Sequence, residues 1–238
     1  MTKTFWIPAI ITKIIELEPG EIRAIELTLP SVVDVPNEGV WPLIDDMRPG
    51  TAFLAEPFGA VSGKLVKRLY TRSNISLKDP LTLQTIINNT HDNADTSLWW
   101  QDKDINIGDT VRVRIDYDEQ GGVFGIYEHS SRDYEKSLLL EQVEWWTGKK
   151  FLGLAFSTGI TPLLAHLRYM ACCEFGRHPD THFLLIVSVR NPRQLMFHEE
   201  LLELEKKFPN NFSYHPVLTR EWPDDWSYTR GRIILSRE

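Results

Sequence analysis

The sequence predicts a two-domain protein: an antiparallel β-barrel of the Greek-key type, followed by a small α/β domain with a parallel sheet. Two patterns predict this fold class. Residues 1–142 carry short apolar–polar alternations separated by Gly, Pro, Asn and Asp, which is typical of an antiparallel barrel or sandwich. Residues 143–238 carry apolar runs that alternate with helical periodicity, which is typical of β-α-β units. We place the boundary in the charged, Trp-containing stretch 134–148.

The strands of the first domain are identified by an apolar residue at every second position. Residues 25–29 alternate Ile and Leu with Glu and Thr. Residues 111–115, Val-Arg-Val-Arg-Ile, alternate strictly after the turn signal Gly108-Asp109. Further strand candidates are 7–15, 51–55, 65–70, 81–87 and 123–127.

The second domain opens with a buried strand at 151–155 and a Ser-Thr-Gly turn. Thr161 is suited to the N-cap of a helix, and Pro162 to its first position, where the missing N–H of proline costs nothing. The apolar spacing that follows predicts a helix from 162 to about 175. Such a turn presents free backbone N–H groups that suit a phosphate or a flat ring. An ordinary βα turn is the alternative.

A second strand is predicted at 182–189, ending at the breaker Arg190-Asn191-Pro192. The helix after it has Phe197, Leu201, Leu204 and Phe208 on one face. A third strand at 212–218 is expected at an edge of the sheet, because Pro216 has no N–H to donate. In such a sheet the ligand sites lie at the carboxyl ends of the strands.

Composition excludes several classes of protein. A net charge of −7 argues against a nucleic-acid partner, and no apolar run approaches the length of a membrane span. The N-terminus lacks the pattern of a signal peptide, and the adjacent Cys172 and Cys173 cannot form a disulfide framework. We therefore expect a cytoplasmic protein. His178 and His182 are separated by Pro179 and lack further ligands, so no metal site is predicted.

A basic island stands out in this acidic chain. No acidic residue lies between Glu56 and Asp79, and the island contains Lys64, Lys67, Arg68, Arg72 and Lys78. Such an island predicts a phosphate-bearing ligand or an acidic partner. A solvated basic loop is the alternative.

Inside the island, Arg68-Leu69-Tyr70-Thr71 resembles the Arg-x-Tyr-Ser/Thr motif of the ferredoxin–NADP(+) reductase superfamily of flavoenzymes. On a strand, Arg68 and Tyr70 point to the same side. A guanidinium can hold a flavin phosphate bidentately, and a tyrosine ring can lie along the flavin. The resemblance implies that Tyr70 and Thr71 are catalytic, with Thr71 against the flavin nitrogen that receives hydride.

Three further stretches match the same superfamily in order. Thr158-Gly159-Ile160-Thr161-Pro162 is similar to its nicotinamide-nucleotide loop, although two glycine positions are Phe156 and Ser157 here. The strand ending in Arg190, with the Phe-x-Glu-Glu-Leu helix that starts at Phe197, is the next match. Thr219-Arg220, followed by Gly231-Arg232-Ile233, is similar to the pair that grips the 2′-phosphate of NADPH, with Arg190 assisting.

The second flavin motif of the superfamily is poorly kept. The nearest stretch is 94–98, in which Ser97 or Thr96 could cap a helix over a flavin phosphate. FAD is the expected flavin, with FMN as the alternative, since Asn74 resembles an FMN-using branch. The superfamily also continues past Gly-Arg-Ile to a Cys-Gly-x-Pro segment that this sequence lacks. We therefore expect an NAD(P)-binding domain truncated at its C-terminus.

Together these matches predict a flavin-binding barrel at 1–142 and an NAD(P)-binding domain at 143–238. We expect an NAD(P)H oxidoreductase that passes hydride from NADPH to flavin and electrons to a ferredoxin, a flavodoxin or another acceptor. An NADH-dependent reductase component of an oxygenase system is one alternative. A non-catalytic descendant that binds flavin or a partner is the other.

Overall fold

The computed structural model describes residues 3–35, 39–44, 49, 51–75, 81–89, 95–102, 104–118, 123–125 and 148–233. The chain divides into two compact units, residues 1–140 and 141–238. The expected boundary at 142 lies outside the described residues.

The first unit is built on strands. Its elements are β1 (Lys3–Glu18), β2 (Ile22–Thr28), β3 (Val32–Val35), β4 (Gly39–Ile44), β5 (Ala52–Glu56), β6 (Arg68–Thr71), β7 (Thr82–Asn88), the short helix α1 (Asp95–Trp100), β8 (Thr110–Asp118) and β9 (Val123–Gly125). The long β1 pairs with β8 through its first half and with β2 through its second half, antiparallel in both cases. Strands β3, β4 and β9 extend the sheet beyond β8.

Six of these strands form a nearly closed antiparallel barrel in the order β6-β5-β8-β1-β2-β7. The chain just after β6 links back to β7, because the Ser73 N–H donates to the Gln84 carbonyl at 2.8 Å. Asn74 adds two side-chain bonds to β7, one to the Thr82 carbonyl and one from the Gln84 N–H. This structural use accounts for an asparagine three residues after Thr71.

The predicted alternation of apolar and polar residues determines which side chains form the core of the barrel. Val111, Val113 and Ile115 are buried on β8, whereas Arg112 is exposed. They pack in one cluster with apolar residues of β1, β2, β5 and β7. Each large aliphatic side chain buried in this way contributes about 1.5–3 kcal/mol. The predicted antiparallel barrel is therefore confirmed.

The second unit is a four-stranded sheet with helices. Its elements are β10 (Lys150–Phe156), a 3-10 turn (Ser157–Gly159), α2 (Ile160–Cys173), β11 (His182–Val189), a second 3-10 turn (Pro192–Gln194), α3 (His198–Lys207), β12 (Phe212–Leu218) and β13 (Thr229–Arg230). The strand order is β10-β11-β12-β13, and every pairing is parallel. This confirms the predicted β-α-β-α-β domain.

Two local predictions in this unit are wrong. Helix α2 begins at Ile160 with Gly159 at its N-cap, so Thr161 lies inside the first turn and does not cap it. The Thr161 hydroxyl instead donates to the Thr158 carbonyl at 2.6 Å. Strand β12 is not at the edge, because β13 pairs with Val217 and Leu218. Pro216 is tolerated because the pairing with β13 starts one residue after it.

Candidate cofactor and nucleotide sites

Strand β6 carries the residues expected to hold a flavin. Arg68, Tyr70 and Thr71 lie on this strand, in register with Ala55, Phe53 and Ala52 of β5. Arg68 is exposed, whereas Tyr70 and Thr71 are half-buried. The guanidinium of Arg68 donates to the Lys67 carbonyl at 3.0 Å and remains on the accessible surface. The segment therefore presents a cation, an aromatic ring and a hydroxyl in succession.

The Tyr70 hydroxyl is bonded within the barrel. It accepts a hydrogen bond from the Trp100 indole N–H at 2.8 Å, and the two rings meet edge-on with centroids 5.9 Å apart. Phe53 packs on the Tyr70 ring, at 5.7 Å between centroids. Burial raises the pKa of Tyr70, against the opposing effects of Trp100, Thr96 and Arg68. The phenol therefore stays protonated at neutral pH and keeps a proton to donate.

Asp95, at the start of α1, lies in the neighbourhood of Arg68. Its Oδ1 accepts hydrogen bonds from the backbone N–H groups of Val61 at 2.6 Å and Ser62 at 3.1 Å. Hydrogen bonds from the Ser62 side chain and from these backbone groups, with the charge of Arg68, lower the pKa of Asp95. Ser97, the expected phosphate cap, is half-buried on α1. Its neighbour Thr96 is buried and bonds Tyr70.

The basic island is smaller on the surface than its sequence predicts. Arg72 is 1% exposed and donates from Nη2 to the Thr82 carbonyl at 3.0 Å, so it belongs to the barrel interior. Lys67 lies 3.9 Å from Glu56 and packs over the Trp6 ring. Lys78 lies outside the described residues. Among the described residues of the island, Lys64, Lys67 and Arg68 are the exposed cations.

In the second unit, the nucleotide-loop residues form a turn between β10 and α2. Thr158 and Gly159 belong to the 3-10 turn, while Thr161 and Pro162 lie in the first turn of α2. Ser157 has a φ of 50°, in the left-handed region that favours glycine. Phe156 is 61% exposed at the end of β10. The backbone thus needs a glycine-like conformation at the position where the superfamily has glycine, and a serine adopts it.

The structure brings Arg190, Thr219 and Arg220 together at the carboxyl ends of β11 and β12. The N–H groups of Arg220 and Glu221 both donate to the Arg190 carbonyl at 3.0 Å. The Thr219 hydroxyl donates to the Val189 carbonyl at 3.1 Å. Arg190 and Arg220 are both exposed, so their guanidinium groups lie on one accessible edge.

The loop that follows Arg220 is fixed by Arg230. The Arg230 guanidinium packs over the Trp222 ring at 5.9 Å and donates to the carbonyls of Asp224 and Trp226. Glu221, Asp224 and Asp225, all exposed, follow Arg220 in this loop. Sequence reasoning did not use these acidic residues, although they follow Arg220 directly in the sequence. It missed the hydrogen bonds of Asp95 and Trp100, because their partners are distant in the sequence and the local pattern gives no signal of them.

Comparison with known proteins agrees with this geometry. Residues 154–236 match the family described as the oxidoreductase NAD-binding domain. Human NADH-cytochrome b5 reductase 1 is 34% identical over 85 residues, which is 36% of this chain and 27% of that protein. A cytochrome P450 reductase from Amycolatopsis matches 97% of this chain and 56% of its own, with a TM-score of 0.62 and 19% identity.

The structure of a ferredoxin NADP(+) reductase from Neisseria gonorrhoeae with bound FAD and NADP matches 96% of this chain and 73% of its own. Its TM-score is 0.61, and the identity is 19%. This chain has the ferredoxin–NADP(+) reductase fold. The fold implied by the resemblance is thereby confirmed, and residues 154–236 of the second unit match the oxidoreductase NAD-binding domain.

The chain spans only part of the length of these relatives. It covers 27% of the human protein and 56% of the Amycolatopsis chain. Among the residues that the structure describes, no helix has the length and apolar character needed to cross a membrane.

Proposed function

We propose that the chain is a flavin-dependent NAD(P)H oxidoreductase that uses NADPH to reduce a bound flavin and passes the electrons to an acceptor protein. The observation that supports this proposal is the succession of Arg68, Tyr70 and Thr71 on one barrel strand, in a chain whose second unit is an oxidoreductase NAD-binding domain. A bound flavin supplies the redox chemistry, and the protein supplies binding and orientation.

The residues of the barrel fit a flavin. The exposed guanidinium of Arg68 suits a phosphate, and the half-buried Tyr70 ring offers an apolar face with a proton to donate. Thr71 offers a hydroxyl and a backbone N–H beside that ring, and Ser97 lies on the helix next to Tyr70's partner Thr96. Tyr70 and Thr71 would orient the ring. FAD is the proposed flavin, with FMN as the alternative.

The nucleotide half fits a dinucleotide phosphate. We assign the turn at Thr158, Gly159, Thr161 and Pro162 to the nicotinamide side of the site. Arg190, Thr219 and Arg220 are assigned to the adenosine 2′-phosphate. Two exposed guanidinium groups at one sheet edge suit a phosphate dianion.

An NADH-dependent reductase component of an oxygenase system is the second candidate. The exposed acidic residues Glu221, Asp224 and Asp225 in the loop after Arg220 disfavour a 2′-phosphate, and the sequence match is to an NADH-cytochrome b5 reductase. The similar Amycolatopsis protein is a reductase for a cytochrome P450. The acceptor is therefore a ferredoxin or flavodoxin in the first proposal, and an oxygenase component in the second.

The nucleotide is tested by measuring the affinities of NADPH and NADH for the wild type and for Arg220→Ala, with Arg177→Ala as a control at a helix end. NADPH binding is expected to weaken about tenfold in Arg220→Ala while NADH is unaffected, because one charged phosphate contact is lost. Equal affinities for both nucleotides, unchanged by Arg220→Ala, would favour the NADH-dependent candidate.

The reaction itself is tested by visible spectroscopy of the purified chain, taken anaerobically before and after adding NADPH or NADH. A flavin band that bleaches supports the oxidoreductase. A flavin band that neither nucleotide bleaches supports a non-catalytic descendant. A chain that takes up neither FAD nor FMN contradicts the flavin assignment, and an Arg68→Ala variant that keeps its flavin contradicts the phosphate clamp.

A further inference from the structure

The loop at residues 59–63 is shaped around the carboxylate of Asp95. Besides the two N–H groups that bond Oδ1, the Ala60 N–H donates to the Asp95 main-chain carbonyl at 3.2 Å. Gly59 is part of this contact, because a Cβ there would lie 2.3 Å from Asp95 Oδ2 and 2.3 Å from Ser62 Oγ. Only glycine allows the carboxylate to approach so closely.

This carboxylate is an anion in a place that otherwise collects positive charge. Its hydrogen bonds and the charge of Arg68 both favour the ionised form, so Asp95 is negative at neutral pH. Lys64 and Arg68 lie in the segment beside it, and that segment contains no acidic residue of its own between Glu56 and Asp79. Asp95 therefore supplies the negative charge of this surface from a different part of the chain.

A flavin phosphate held by Arg68 binds the same kinds of hydrogen-bond donor that Asp95 already uses. Phosphate oxygens bind guanidinium groups and backbone N–H groups. The Asp95 carboxylate already accepts from the Val61 and Ser62 N–H groups, in the connection between β5 and β6 that leads to Arg68. A phosphate bound at this connection meets the like charge of Asp95, and like charges in contact are costly.

We propose that Asp95 is a built-in competitor of the flavin phosphate: it holds the loop while the site is free and must release Val61 and Ser62 when a phosphate binds. The inference rests on the proposed flavin function and adds a specificity-determining residue to it. The chain then binds phosphorylated flavins weakly for its fold, whereas a flavin without phosphate meets no such competition.

The test compares the affinities of FAD, FMN and riboflavin for wild type, Asp95→Asn and Asp95→Ala by fluorescence titration. Asp95→Asn keeps the shape and the Oδ1 acceptor but removes the charge, and Asp95→Ala frees both N–H groups. FAD and FMN are expected to bind about tenfold more tightly to each variant. Riboflavin, which lacks the phosphate, should be unchanged. Asp104→Asn, an exposed acid of the same unit, is the control for net charge.

Each outcome distinguishes the proposed competition by Asp95 from the proposed flavin function. If wild type binds FAD or FMN and both Asp95 variants bind them equally or more weakly, the competition is wrong and the flavin function stands. An equal gain for riboflavin, or the same gain in Asp104→Asn, also overturns it, since the effect would not be specific to Asp95 and phosphate. If no flavin binds to any of the proteins, the flavin function and this inference fail together. Circular dichroism checks that each variant is folded.

Discussion

The Tyr70 hydroxyl shows how a proposed cofactor residue can also stabilise the barrel. The Trp100 side chain that donates to it is 1% exposed, so no water can replace the phenol. A buried donor that loses its partner costs about 1–3 kcal/mol. The same oxygen therefore contributes to folding and, in the proposed function, to ligand binding, so the two effects need to be measured separately.

We expect Tyr70→Phe to lower the free energy of unfolding of the barrel by about 1–3 kcal/mol, because the Trp100 N–H is left unbonded. Urea unfolding followed by circular dichroism measures the change. In the double variant Tyr70→Phe/Trp100→Phe, the loss should be smaller than the sum of the two single losses by about 1 kcal/mol. Strict additivity would contradict the hydrogen bond.

Ser157 is one of three described non-glycine residues with a left-handed backbone, the others being Leu81 and Phe197. A left-handed conformation costs an L-residue about 1–2 kcal/mol. Glycine avoids this cost, but it loses about 0.5–1 kcal/mol because its backbone gives up more entropy on folding. We expect Ser157→Gly to raise the free energy of unfolding of the second unit by about 0.5–1 kcal/mol. Ser213→Gly, the same change within strand β12, should lower it. A loss of stability in Ser157→Gly would contradict the strain.

At the scale of elements, helices α2 and α3 are joined by one ion pair. Arg168 on α2 donates to both carboxylate oxygens of Glu200 on α3 at 2.7 Å, and its guanidinium packs over the Phe197 ring at 4.8 Å. The side chains of Arg168 and Glu200 are 17% and 34% exposed, so solvent screens the pair only in part. The bidentate geometry makes it stronger than an ordinary surface pair.

We expect Arg168→Met to lower the free energy of unfolding of the second unit by about 1–2 kcal/mol, since charged hydrogen bonds are lost while the aliphatic volume is kept. Arg177→Met, in the exposed turn after α2, should change it by less than about 0.5 kcal/mol. Thermal unfolding compares the two. Equal effects would mean that the pair with Glu200 contributes nothing of its own.

The elements also show what a sequence reveals and where it stops. Alternation predicted the barrel strands, because one face of each strand must be buried, and the helical spacing predicted α2 and α3 for the same reason. The cap of α2 was wrong because Thr161 bonds backward to Thr158. The predicted edge position of β12 was wrong because β13 has only two residues and so has no periodic pattern by which the sequence could reveal it. The hydrogen bonds of Asp95 and Trp100 could not be foreseen, since their partners lie 30 or more residues away in the chain.

For the whole molecule, the division into two compact units leads us to expect one unfolding transition for each unit. A ligand that binds only the folded state raises the stability of the part that holds it, by about 2.7 kcal/mol at a concentration of 100 times Kd. The variants described above identify the transition of each unit. Tyr70→Phe should lower the temperature of the first unit's transition, and Ser157→Gly should raise that of the second. Calorimetry can then assign each transition without separating the units.

On this basis we expect FAD to raise the transition that Tyr70→Phe lowers, and NADPH to raise the one that Ser157→Gly raises. The reason is that Arg68 and Tyr70 belong to the first unit, and Thr158, Arg190 and Arg220 to the second. Riboflavin and NADH, which lack the phosphates assigned to Arg68 and Arg220, serve as matched ligands and should give smaller shifts. If FAD raised the transition marked by Ser157→Gly and left the other unchanged, the barrel would not be the flavin site. Arg68 would then be an exposed basic residue of a loop that binds something else.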